Sequence, residues 1–171
     1  EGGARERAAT ALAVLEGRLS KGEPESKSGL DGETAVMRAA AAGEEEMLGV
    51  LADARCDLNA VSARHCTALV AAVLGAHHGA LRKLLDLRAD PEMGKVDTKE
   101  TPLHQAAEHK RVECVKRLLA GGASVNVASE FSTGSLPLHE ACSSGSVECV
   151  RCLLEAGADV CAVNNSGDQP I

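Results

Sequence analysis

Cys149 and Cys152, three residues apart, are the side chains whose type best suits a soft metal ion, together with the adjacent pairs His65-Cys66 and His77-His78. Thiolate and imidazole are the donors zinc prefers, but a zinc site needs two such pairs converging on a tetrahedron. Cys149 and Cys152 fall in the middle of a helix-period segment that turns Cys149 to the core, and no second pair stands at a matching place. Packing accounts for them, and no metal is expected. Seven cysteines could also form disulfides. Yet Cys114 and Cys149 occupy equivalent interior slots and Cys142 stands where alanine would serve, so they read as small buried apolar residues. Their odd total, without a secretion signal, fits a reducing compartment.

Acid–base or nucleophilic chemistry would have to use His104 and His139. The two sit in identical contexts, Thr101-Pro102-Leu103-His104 and Leu136-Pro137-Leu138-His139, without a serine or acid placed to assist. Two equivalent histidines point to a repeated structural part. Glu44-Glu45-Glu46 is a carboxylate cluster, but at the start of a helix it complements the helix dipole. No Gly-x-x-x-x-Gly-Lys phosphate loop or Gly-x-Gly-x-x-Gly dinucleotide turn occurs. No catalytic residue and no cofactor are expected.

What positions these residues is a repeat. Units aligned on the first residue of that tetrapeptide start at Thr34, Thr67, Thr101, Leu136 and Gln169, spaced by 33, 34, 35 and 33 residues. Seventeen and eighteen residues after the first four starts stand Leu51-Ala52, Leu84-Leu85, Leu118-Leu119 and Leu153-Leu154; twenty-three after them stand Asp57, Asp90, Ser124 and Asp159. Three landmarks in register define a solenoid of short units, each too small to bury its own apolar face. In the third, Thr101 suits a helix cap and Pro102 the first helical position. The first helix is expected to run through Glu108, and a second from Val112 to Ala120 places Cys114, Val115, Leu118 and Leu119 on one face. Gly121-Gly122 supplies the terminator. In the fourth, Leu136 replaces the capping threonine, at a cost of roughly 0.5–2 kcal/mol unless Ser135 compensates.

These motifs closely resemble the ankyrin repeat family, whose units read Gly-x-Thr-Pro-Leu-His-x-Ala-Ala, then Gly, Val-Val-x-x-Leu-Leu and Gly-Ala-Asp-Val-Asn. The resemblance covers nearly all of the chain and is closest from Glu100 to Val127 and from Ser135 to Ala162. It implies an all-α solenoid of stacked helix-turn-helix units joined by hairpin loops. One domain, 1–171, divides into 1–30 (a degenerate, polar N-terminal cap), 31–63, 64–97, 98–132, 133–165, and 166–171 as the start of a further, truncated unit. The resemblance also implies that His104 and His139 clamp loop backbone between neighbouring units. Met37 and Val70 lack that capacity, and Arg55 and Arg88 replace the terminator glycine, so the first two units should be softer.

Composition limits the partners. The formal charge is −7, and 44% apolar residues include one aromatic, Phe131, with no Trp or Tyr. Alanine, leucine, valine and cysteine must build the core, as suits closely spaced helices. No basic run exceeds two residues, so nucleic-acid binding is not expected. No stretch approaches the roughly 20 apolar residues that span a bilayer. A monomer in the cytoplasm or nucleus is expected, cut from a longer chain since it begins at Glu1.

For ankyrin-like stacks the resemblance implies a concave groove lined by loop tips and first helices. Position by position this gives Glu33, Arg38, Leu74, Glu100, Gln105, Glu108, His109, Glu140, Ser143 and Ser144 as partner-binding residues, with Phe131 in the longest tip either a candidate anchor for a partner or folded back over a neighbouring tip. The groove should be acidic in the third and fourth units and more apolar in the second, complementary to a basic peptide with one apolar anchor. The expected function is a non-catalytic protein-interaction module. A second reading makes it the recognition arm of a ubiquitin-ligase adaptor or of an enzyme whose catalytic domain lies elsewhere. A third makes Asn59 and Asn126 substrates of an asparaginyl hydroxylase, which acts at that place in some ankyrin domains.

Overall fold

The computed structural model describes residues 33–62, 66–95, 97–129 and 134–170. Among them are eight helices and no strand: α1 (Ala35–Ala42), α2 (Glu45–Asp53), α3 (Ala68–Leu74), α4 (His78–Asp86), α5 (Pro102–Glu108), α6 (Val112–Ala120), α7 (Pro137–Ser144) and α8 (Val147–Glu155). The expected degenerate first unit, Phe131 and His65 lie outside the described residues.

Two layers result. The first helices α1, α3, α5 and α7 pack on one another in succession, the second helices α2, α4, α6 and α8 form a parallel row, and each first helix packs on its own second helix. Small residues allow the close approach: Ala40, Ala72, Ala106 and Ala141 are fully buried in the first row. Leu48, Leu51, Leu81, Leu84, Val115, Leu118 and Leu153 fill the space between the rows. Cys114 and Cys149 are buried in this core, and desolvation raises both thiols above their usual range. That keeps them protonated and unreactive at neutral pH.

The ends of the helices show how the sequence variations are absorbed. Thr34 and Thr67 cap α1 and α3, accepting the backbone N–H groups of Met37 and Val70 at 3.3 and 3.4 Å. Thr101 departs from that expectation. Its hydroxyl lies 3.0 Å from Nδ1 of His104, and its backbone N–H donates to the same nitrogen at 3.1 Å. At α7 the cap residue Leu136 has no acceptor on its side chain, and only the histidine half of this arrangement survives, Leu136 N–H donating to His139 Nδ1 at 3.1 Å. Ser135, one residue earlier, has its hydroxyl engaged with the Glu140 carboxylate.

The second helices end in left-handed turns closed by paired backbone bonds. Gly122 and Gly157 occupy them at φ +91° and +88°, whereas Arg55 and Arg88 are held at +59° and +70°. The same bonds form in both cases: Cys56 N–H to Leu51 O and Ala89 N–H to Leu84 O match Ala123 N–H to Leu118 O, each near 3.0 Å. Tertiary packing thus imposes on two arginines a conformation that suits glycine.

Narrow fingers connect the units, each closed by a backbone bond: Ser62 N–H to Cys66 O, Lys95 N–H to Glu100 O, Ser129 N–H to Ser135 O and Asn164 N–H to Asp168 O. Side chains then tie finger to finger. Asn59 Oδ1 accepts Asp90 N–H, Glu92 Oε1 accepts Ser124 N–H, and Asn126 Oδ1 accepts Asp159 N–H while its Nδ2 donates to Gly157 O.

Candidate functional site

The first helices form one layer of the stack, and their exposed sides together with the finger bases carry the expected contact residues. The finger bond between Lys95 and Glu100 sets Glu100 at the mouth of α5, with the Lys95 ammonium 3.2 Å from its Oε2. One turn into the helix, Gln105 is almost fully buried, and its Nε2 donates to Glu100 Oε2 at 2.9 Å and to Glu108 Oε2 at 3.2 Å. Gln105 therefore holds two carboxylates in place from beneath and does not itself offer a contact surface. Glu108 closes the helix in an exposed position.

Glu140, on the next first helix, completes the group. It is half-buried, and its carboxyl is raised above the ordinary range first by desolvation and then by the negative charge of Glu108, with a smaller contribution from Glu100; the Ser135 hydroxyl opposes the rise. Removing water from a carboxylate and setting others beside it both disfavour the ionised form. The free protein thus holds like charges against one another across α5 and α7.

The other expected residues divide. His109 is exposed beside this group, its Nδ1 3.0 Å from Gln105 O, so that the carbonyl fixes the proton on that nitrogen; the same atom is 3.8 Å from Glu108 Oε2. Ser143 is exposed. Ser144 is turned inward: its hydroxyl reaches Ala107 O at 3.1 Å and Ala141 O at 3.0 Å, tying α7 to α5. Glu33 and Arg38 are exposed before and on α1, and Leu74 is 38% exposed at the end of α3, with its carbonyl accepting from Arg111 at 3.4 Å. Sequence reasoning missed Lys95. The signal was available, since finger pairing sets residues flanking a tip opposite one another.

His104 and His139 act as clamps. Nε2 of His104 lies 2.9 Å from Ser135 O and Nε2 of His139 3.1 Å from Asp168 O, each reaching the base of the following finger. With Nδ1 accepting from the cap residue, the proton must reside on Nε2. Burial lowers the pKa of His104 below its usual 6.5, although the bond to Ser135 O resists the fall. Among the described residues no three His, Cys, Asp or Glu side chains are grouped so as to hold a metal ion, and no helix is long and apolar enough to cross a membrane.

Comparison with known proteins agrees with this architecture. The family model for ankyrin repeats in three copies matches residues 74–164, more than half of the chain. The tyrosine-protein kinase Shark of Drosophila melanogaster is 31% identical over 93 residues, covering 54% of this chain and 10% of the kinase. The chain thus spans about a tenth of the length of that curated relative. Repeated units, histidine clamps, hairpin fingers and two helical layers, together with the family match, show that the chain belongs to the ankyrin repeat family.

Proposed function

We propose that this module captures a basic protein segment on the face formed by its first helices and finger bases, with Glu100, Glu108 and Glu140 receiving the positive charges. The observation that carries this reading is the strained electrostatics of the group. A buried glutamine gathers two carboxylates, and a third is half-desolvated against them, raising its pKa. An arriving lysine or arginine relieves that repulsion, which converts a cost in the free protein into a gain on binding. Glu33, Arg38, His109 and Ser143 extend the contact surface, and Leu74 offers an apolar seat in the second unit.

The reading has a proton signature. A cation beside Glu140 favours its ionised form, so binding releases protons and tightens as pH rises through the raised pKa of this group. Retention of proteins from a cell extract on the wild-type module and on Glu108→Lys/Glu140→Lys, compared by mass spectrometry, tests the assignment. Partners lost only with the reversal support it, and identical sets on both count against it.

A second reading, that the module is the recognition arm of a longer protein with a catalytic domain elsewhere, is favoured by the likeness to a stretch of a tyrosine-protein kinase. In that case the module has no catalytic role and steers the attached domain to the basic segment. Modification of Asn59 or Asn126 is a separate question, since both amides bridge fingers. Added oxygen on either peptide in a mass spectrum would establish it, and its absence would remove it.

A further inference from the structure

The outward residues of the four first helices form a lattice whose rows cross the units. Counted seven residues from each unit's start, Ala41, Leu74, Glu108 and Ser143 make one exposed row; counted four, Arg38, Ala71, Gln105 and Glu140 make a second. The second row is recessed in the later units, where Gln105 is buried and Glu140 half-buried. Character changes in order along the stack. Ala41, Ala42, Leu74 and Gly75 leave the ends of the first two of these helices apolar and exposed, whereas Glu108 and Glu140 stand against each other in the last two units. The charge of Glu100 is already met by Lys95 at 3.2 Å, so the charge offered to a partner is that of Glu108 and Glu140.

The step from one unit to the next along a row is set by the packing of the first helices. Packed helices lie about 8–10 Å apart, depending on the side chains at the contact. Here these are the fully buried Ala40, Ala72, Ala106 and Ala141, which put the step at the short end of that range. A partner segment crossing the helices must present one side chain per unit on one side. A strand returns to the same side after two or four residues, about 7 or 13 Å, and an α-helix after seven, about 10.5 Å. A polyproline II segment returns after three, about 9 Å, which matches the alanine-limited step. We propose that this face captures a left-handed extended segment of polyproline II type that reads apolar-x-x-basic-x-x-basic along the stack. Its apolar residue rests on Leu74, the first basic residue meets Glu108 and the second meets Glu140. The inference rests on the reading of this face as the seat of a basic segment, and adds to it the conformation, spacing and order of the contacts.

End-blocked synthetic peptides test the proposal, titrated into the isotope-labelled chain and followed by its amide chemical shifts. Leu-Pro-Pro-Arg-Pro-Pro-Arg carries the spacing of three, and Arg-Pro-Pro-Arg-Pro-Pro-Leu carries it in the opposite chain direction. Leu-Pro-Arg-Pro-Arg-Pro-Pro has the same composition at a spacing of two, and an alanine-based helical peptide sets the leucine and two arginines seven apart. The better of the two peptides spaced by three should give saturable shifts at Leu74, Glu108 and Ser143, and bind several-fold more tightly than the peptide spaced by two or the helical one. Replacing its leucine by alanine should weaken it, and Leu74→Ser, a change at an exposed position, should erase the difference between these two peptides. Glu140→Gln should likewise erase the contribution of one arginine, measured against a peptide with alanine in its place. Equal or tighter binding of the peptide spaced by two or of the helical peptide would overturn the proposal, as would a leucine contribution that persists in Leu74→Ser. Failure of the underlying reading looks different: no basic peptide would bind, or all would bind Glu108→Lys/Glu140→Lys as they bind the wild type, and this inference would fall with it.

Discussion

Replacing Arg55 and Arg88 by glycine should stabilise the protein, although glycine is ordinarily a destabilising choice. Both arginines sit in left-handed turns, at φ +59° and +70°, and both are exposed. A left-handed conformation costs an L-residue roughly 1–2 kcal/mol, while glycine gives back about 0.4–1 kcal/mol through its greater freedom in the unfolded chain. The net gain is about 0.5–1 kcal/mol per site, and because the sites lie in separate units the double variant should gain about 1–2 kcal/mol. For a chain of this size each kcal/mol moves the melting temperature by about 2–4 °C, so the double variant should melt roughly 2–8 °C higher. With no Trp or Tyr in the chain, the assay is far-ultraviolet circular dichroism, by heat and by urea. Ala54→Gly is the control: at φ −75° it has no strain to relieve and should lower the midpoint. An unchanged or lowered midpoint for Arg55→Gly/Arg88→Gly would refute the reasoning that packing forces these turns against local preference.

Acid should weaken the clamp between the third and fourth units. The folded state holds His104 neutral, with its pKa below 6.5, so the unfolded chain takes up a proton first; stability is full above about pH 6.5 and falls as pH drops from there toward the folded pKa. Melting curves across that range should show the decline, and His104→Gln should flatten it. Leu118→Ala should cost about 2–5 kcal/mol, because the side chain is fully buried, and Leu119→Ala should cost less because that side chain is only partly covered; urea denaturation separates them. Asn126→Ala should remove the tie to Asp159 and Gly157 and lower the urea midpoint by about 1 kcal/mol equivalent, with no change in helical content.

Helix limits were legible because they depend on local spacing, whereas the clamp role of the histidines was what the resemblance to ankyrin repeats implied. Pro102 to Glu108 and Val112 to Ala120 fall where the pattern placed them. Details that depend on which neighbour a side chain meets were less legible. Gln105 stands at an outward-reading position of its helix, yet Glu100 and Glu108 offer its amide two acceptors and draw it beneath them. Ser144 reads as a groove residue, yet carbonyls on α5 and α7 accept its hydroxyl. Ser135 reads as a substitute cap, and its hydroxyl also meets Glu140 on the following helix. A short polar side chain with several partners in reach cannot be assigned from its own position, because the choice is made by the adjoining unit.

The acidic face is tested most directly by titrating a synthetic peptide rich in lysine and arginine, with one leucine, into the wild-type module and into Glu108→Lys/Glu140→Lys by calorimetry at two salt concentrations. The account predicts saturable binding to the wild type that weakens with salt, releases protons, and falls about tenfold or more in the reversed variant, a loss of about 1.4 kcal/mol or greater. Equal affinity for both proteins, each shown by circular dichroism to be folded, would contradict it.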